Sequence, residues 1–202
     1  MIAGLIRALP GVQARWLGVE PLARQRVYFA NHGSNLDAPV IWASLPPNLR
    51  RRTRPVAAQD YWSRGPVRRW LAGSVFRVVL IERSGFSVHD NPLSRMDAAL
   101  EDGSSLILFP EGTRKQDEDA ELHPFKPGLW HLARKHPDVE LVPVWLENLN
   151  RILPKGEVLP VPLLASATFG APLARIEGES KPEFLARARA AVLALEEPAE
   201  AD

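Results

Sequence analysis

Short apolar runs alternate with stretches of helical spacing along most of this chain. Val27, Tyr28, Phe29 and Ala30 follow Arg26 as a compact strand. Pro39 then suits the first turn of a helix reaching about Leu45, where Pro46 and Pro47 stop it. A strand near residues 55–59 leads to a helical stretch over 61–73, interrupted or restarted by Pro66. Residues 75–81 are apolar and β-branched, with Arg77 breaking the run. Asn91 or Asp90 caps a helix from Pro92 to Leu100, which Gly103 ends. Residues 105–109 predict a strand, and a helix runs from Gly128 through His136 to its stop at Pro137. In residues 139–145, Leu141, Pro143 and Trp145 alternate with Val142 and Val144, all apolar, as in a strand covered on both faces. Residues 155–171 predict proline-rich irregular β structure, and 181–195 a last helix. Strands alternating with helices predict an α/β fold: a single domain with a mostly parallel central sheet flanked by helices.

Length changes this picture little. The 202 residues fit one domain, divided as an N-terminal amphipathic segment (1–22), the main domain (23–195) and an acidic tail (196–202). In the first segment Ile2, Leu5, Ile6 and Leu9 share one side at helical spacing, with Trp16 and Leu17 following. This side lies on a membrane surface or packs on its own domain. No stretch reaches the ~20 apolar residues that cross a bilayer. The absence of cysteine excludes disulfides, thiolate metal sites and a cysteine nucleophile.

Charge adds more. Residues 1–100 carry 14 Lys/Arg against 6 Asp/Glu, and residues 101–202 carry 11 against 18. The positive half uses arginine alone, concentrated in Arg50, Arg51, Arg52, Arg54, Arg64, Arg68, Arg69 and Arg77. Such a field attracts anionic membrane, nucleic acid or phosphorylated small molecules, or is simply a solvated face. No zinc-finger spacing or RNA-binding block accompanies it, so a nucleic-acid partner is not expected. Tyr61, Trp62 and Trp70 lie among these arginines, as interfacial rings or as a core-facing aromatic pair.

The candidate chemistry sits at two strand ends. Asn31-His32-Gly33-Ser34-Asn35-Leu36-Asp37 offers a base and a carboxylate five residues apart. One helical turn brings Asp37 towards the imidazole, where it fixes the tautomer and stabilises the imidazolium. The structural alternative for Asp37 is an ordinary helix-capping acid before Pro39. Ser34 belongs to no Gly-x-Ser-x-Gly elbow, so direct activation of a hydroxyl by His32 is the simpler mechanism. No histidine spacing predicts a metal site. The second motif, Phe109-Pro110-Glu111-Gly112-Thr113-Arg114, supplies turn backbone, an acid, a hydroxyl and a guanidinium.

These stretches resemble the glycerolipid acyltransferase family, whose members include lysophosphatidate acyltransferases. Asn31, His32, Ser34 and Asp37 match its Asn-His-x-Ser-x-x-Asp motif, and residues 109–114 match its Phe-Pro-Glu-Gly-Thr-Arg block throughout. Leu80-Ile81-Glu82-Arg83 is similar to its second block and Val142-Pro143-Val144 to its fourth. The resemblance covers residues 27–146. It implies a glycerol-3-phosphate acyltransferase-like fold, with His32 as general base and Asp37 as its partner. It further implies that Arg83, Glu111, Gly112, Thr113 and Arg114 bind substrate, and that Val142 and Pro143 shape the acyl-donor site. The implied reaction moves a fatty acyl group from acyl-CoA or acyl carrier protein to the free hydroxyl of a lysophospholipid, foremost 1-acylglycerol-3-phosphate. The alternatives are an acyl-thioester hydrolase and a non-catalytic basic membrane-binding module. No metal or cofactor is expected beyond the thioester substrate. The implied setting is the cytoplasm, peripheral on an anionic inner membrane face.

Overall fold

The computed structural model describes residues 13–82, 91–114, 121–147 and 166–196. The segment Ile2 to Leu9, Arg83 and nearly all of the acidic tail lie outside the described residues. Among the described residues seven strands form one sheet: β1 (Gln13–Trp16), β2 (Arg26–Ala30), β3 (Thr53–Ala58), β4 (Val79–Ile81), β5 (Ser105–Leu108), β6 (Glu140–Glu147) and β7 (Ser166–Phe169). Their order is β1-β7-β6-β2-β5-β3-β4. Strands β2 to β6 are mutually parallel, β7 runs antiparallel to β6, and β1 pairs parallel with β7. The mostly parallel α/β sheet expected from the alternation is the observed one.

The helices are α1 (Asp37–Ser44), α2 (Pro47–Arg50), α3 (Gln59–Trp62), α4 (Pro66–Trp70), α5 (Pro92–Glu101), α6 (Gly128–Lys135) and α7 (Lys181–Leu193). The apolar alternation of the central strands separates two cores. Val27, Phe29, Leu106, Leu108 and Leu141 face α5, α6 and α7 through Met96, Leu100, Leu129, Leu132, Phe184 and Ala188. Tyr28, Ala30, Ile107, Val142 and Val144 face the other way, onto Val40, Ile41 and Leu45. A parallel strand so covered must be apolar at every position, as Val27 to Ala30 are. Helix ends follow local chemistry. Asn91 caps α5 by accepting from the Leu93 N–H at 3.0 Å, and Ser180 with Glu183 forms a capping box on α7.

Two elements differ from expectation. Residues 75–81 do not form one strand. A π-helical turn (Leu71–Val75) continues α4, and Arg77 adopts φ +51° before β4 begins at Val79. The Arg77 carbonyl accepts from Arg54 Nε at 2.7 Å, holding this left-handed bend. Phe76 and Val78 are both buried, in a small cluster with Ala72. In addition, residues 13–16, expected within the amphipathic segment, form the edge strand β1. There Trp16 stacks on Phe169 at 4.1 Å.

At the opposite edge of the sheet from the chain ends of β2 and β5, an ion pair locks β2 to β6. Glu140 accepts from Arg24 at 2.6 Å and from Arg26, only 2% exposed, at 2.8 Å. Burial opposes the Glu140 charge, but the two guanidinium hydrogen bonds outweigh it and hold the carboxyl below its usual value. Glu140→Gln should cost about 2 kcal/mol at pH 7, because Arg26 loses a charged partner. The folded carboxyl titrates below the unfolded one. The contribution is therefore complete above about pH 4.3 and disappears as pH falls through the lower folded value. Urea unfolding of both proteins across pH 7 to 3 checks this; an equal gap at both ends would reject it.

Candidate active site

Strand register brings the two motifs together. β2 lies between β5 and β6, pairing Phe29 with Leu108 and Ala30 with Val144. The chain leaving β2 at Asn31 is therefore beside the chain leaving β5 at Phe109. Both turns lie at the carboxyl edge of parallel strands, where ligand sites of open α/β sheets form. Asn31 extends the β6 pairing with its side chain, donating to the Leu146 carbonyl and accepting from the Leu146 N–H, each at 2.8 Å. The histidine turn is thus tied down on the β6 side.

His32 Nδ1 lies 2.7 Å from Asp37 Oδ2. The same oxygen accepts the backbone N–H groups of Gly33 and Ser34, each at 2.8 Å, and Asp37 is 1% exposed. Asp37 therefore organises its own turn while opening α1. A carboxylate oxygen can only accept, so the proton between the two side chains belongs to Nδ1, leaving Nε2 with its lone pair. Phe109 stacks on the imidazole at 4.2 Å and 19°, fixing the ring plane. Ser34 is buried, and its hydroxyl accepts from the Leu36 N–H at 3.2 Å, a turn-forming contact.

Glu111 is 2% exposed. One carboxylate oxygen accepts from the His32 N–H at 2.8 Å, the other from the His123 N–H at 3.0 Å. It joins the histidine turn, the β5 turn and the chain before α6. No ion pair between Glu111 and Arg114 occurs among the described residues. Gly112 has φ +69°, and a Cβ there would meet Lys126 Nζ at 2.5 Å, so the lysine side chain lies across this backbone. Thr113 is exposed and Arg114 half-buried. Arg114 and Lys126 make no ion pair among the described residues, which leaves two cations by the turn.

Of the expected site residues, the structure gathers His32, Asp37, Glu111 and Gly112, with Thr113 and Arg114 continuing that turn. Arg83 lies outside the described residues. Val142 and Pro143 are buried within β6, Val142 in the second core and Pro143 with its carbonyl accepting from the Gly170 N–H at 2.9 Å. The interlocking by Asn31 and the placement of Lys126 were absent from the sequence reading. The first depends on strand register; the second had only a lysine two residues before Gly128 as its sign. No group of three or more metal-ligating side chains occurs among the described residues.

Comparison with known proteins bears on the fold and the family. The fold matches a crystal structure of 1-acyl-sn-glycerophosphate acyltransferase from Thermotoga maritima with TM-score 0.72 and 20% identity, covering 96% of this chain and 78% of that one. The chain is 28% identical over 170 residues to 1-acyl-sn-glycerol-3-phosphate acyltransferase of Limnanthes douglasii, covering 81% of this chain and 56% of the relative. It is 32% identical over 155 residues to N-acylphosphatidylethanolamine synthase of Arabidopsis thaliana, covering 72% and 50%. The chain thus spans about half the length of these curated relatives. The Acyltransferase family model matches residues 16–147, a span containing both turns and the strands that carry them. The chain belongs to the acyltransferase family.

Proposed function

We propose that the protein transfers a fatty acyl group from a thioester donor, acyl-CoA or acyl carrier protein, to the free hydroxyl of 1-acylglycerol-3-phosphate. The observation that carries this reading is His32 held through Nδ1 by Asp37 at the carboxyl edge of the sheet, with no hydrogen bond to Nε2 among the described residues. Nε2 takes the proton of the acceptor hydroxyl as its oxygen attacks the thioester carbonyl. Collapse of the tetrahedral intermediate breaks the C–S bond, and the imidazolium returns its proton to the departing thiolate. Asp37 stabilises the imidazolium between the two steps. The donor is itself the activated substrate, so the reaction balances without a cofactor. Arg83 and Arg114 bind the acceptor phosphate, with Gly112 and Thr113 lining the turn beside it, and Val142 and Pro143 bound the acyl-donor side through the sheet. The setting is the cytoplasmic face of an anionic membrane, bound peripherally. No described helix is long and apolar enough to cross a membrane.

Purified protein given labelled acyl-CoA should form diacylated product only when 1-acylglycerol-3-phosphate is supplied. Free fatty acid released at a rate indifferent to acceptor would identify a thioester hydrolase and defeat the transferase reading. Binding of both substrates without turnover would identify a non-catalytic module. Arg83→Ala should raise KM for the phosphate-bearing acceptor about 10- to 100-fold, the worth of a charge-assisted bidentate contact. Steady-state kinetics with a phosphate-free lysolipid provides the control; an equal loss there would make Arg83 structural.

A further inference from the structure

The carboxyl edge that carries His32 also carries an unusual surface. β3 is paired with β5 and ends at Ala58, and α3 starts at the next residue. Neither α3 nor α4 buries a side chain, and residues 63–70 are exposed without a break. Val67 is 67% exposed and Trp70 53%. Three residues apart on α4, they share one side of the helix. Single exposed apolar residues are ordinary; a paired valine and tryptophan on a projecting helix is not.

Charge indicates what covers this side. Residues 61–77 hold Arg64, Arg68, Arg69 and Arg77 and no acidic residue. Arg68 folds over the Tyr61 ring at 4.4 Å. Arg64 and Arg69 are exposed and make no ion pair among the described residues. Beneath the helix, Ala72, Phe76 and Val78 pack with Trp42 and Trp62 and anchor the segment to the domain. Trp62 stands edge-on to Phe76 at 6.0 Å. Of the two tryptophans among the arginines, Trp62 is therefore half-buried against the domain and Trp70 stands exposed. Two apolar side chains fall far short of the ~800 Å² per partner that a stable protein interface buries. They suit the interfacial zone of a bilayer, where an indole sits beside arginines and headgroup phosphates.

We infer that residues 64–74 form a membrane-docking element: Val67 and Trp70 enter the interfacial zone of an anionic lipid surface while Arg64 and Arg69 contact its phosphates. Docking there sets the carboxyl edge of the sheet against the lipid, so an acceptor reaches His32 from the surface without crossing bulk water. Only this last clause rests on the proposed acyl transfer; the docking itself does not.

The test uses the full chain and sucrose-loaded vesicles, either phosphatidylcholine alone or phosphatidylcholine with one-third phosphatidylglycerol. The parent should sediment with the anionic vesicles at low salt. The double variant Val67→Ser/Trp70→Ser should bind at least tenfold more weakly, since the burial of both side chains is lost. Arg64→Gln/Arg69→Gln should lose about fivefold per arginine on anionic vesicles and little on neutral ones, and raised salt should mimic it. Neither pair packs in a core, and unfolding midpoints equal to the parent's verify the fold. Vesicle binding by the double variant equal to the parent's overturns the inference, as does a parent that ignores anionic vesicles. So does a parent dimer that the double variant dissolves, since the face is then a protein interface. Acyl transfer to a short-chain acceptor dispersed as monomers should be equal in parent and variants. Absence of that transfer in the parent counts against the proposed reaction and leaves the vesicle result standing.

Discussion

His32→Ala is expected to lower turnover by at least ~10²–10⁴-fold, the usual worth of a positioned general base. The stacked ring on Phe109 and the bond to Asp37 hold Nε2 in one direction, so the substitution removes both the base and its orientation. Acceptor KM should change little, since the histidine acts on the reacting hydroxyl and the phosphate is held elsewhere in the proposed site. Asp37→Asn separates orientation from basicity. The amide can accept from the Gly33 and Ser34 N–H groups, yet it no longer stabilises the imidazolium and can drive the imidazole to the wrong tautomer. Its loss should fall in kcat. Single-turnover rates of acyl transfer, measured with donor and acceptor saturating, decide the matter. A His32→Ala protein within tenfold of the parent would remove His32 from the chemistry.

Much of this site was legible because it is local. The five-residue separation of His32 and Asp37 spans one turn, and a turn is short enough for sequence to place its two ends together. The same holds for the central strands. Unbroken apolar runs at residues 27–30 in β2, 106–108 in β5 and 141–146 in β6 reflect burial on both faces, a property of the strand alone. What escaped depends on partners distant in the chain. Asn31 reads as a motif residue until the register places Leu146 opposite it, and only then does its amide become a clasp on β6. β1 is four residues long and pairs with β7 at the far end of the sequence, so its local pattern merged with the amphipathic segment before it. Residues 75–81 carry strand-like composition, but the Arg54 side chain binding the Arg77 carbonyl turns the backbone. Trp62 and Trp70 were indistinguishable by composition and were separated by Phe76, which packs on one of them.

Glu111 is where the two kinds of information meet, and its substitution should have the second-largest effect. From sequence its carboxylate was a candidate substrate ligand. In the fold both oxygens are taken by backbone N–H groups, His32 on one side and His123 on the other. Glu111→Gln keeps the size but replaces one acceptor oxygen by an NH₂ that faces another donor. A half-buried N–H is then left unpaired, at a cost of about 1–3 kcal/mol, or roughly 2–4 °C in Tm for each kcal/mol in a domain of this length. Catalysis should suffer beyond stability, because the His32 N–H is one of the two groups released. A displacement of about 1 Å in a catalytic group costs on the order of 10²-fold. Glu111→Asp keeps the charge but shortens the reach, so it too should lower both Tm and kcat, with acceptor KM nearly unchanged. A residue that touched substrate would behave differently: both variants would raise KM and leave Tm alone. Thermal unfolding alongside steady-state kinetics on the two variants separates these outcomes. Intact Tm with a raised acceptor KM would return Glu111 to the substrate.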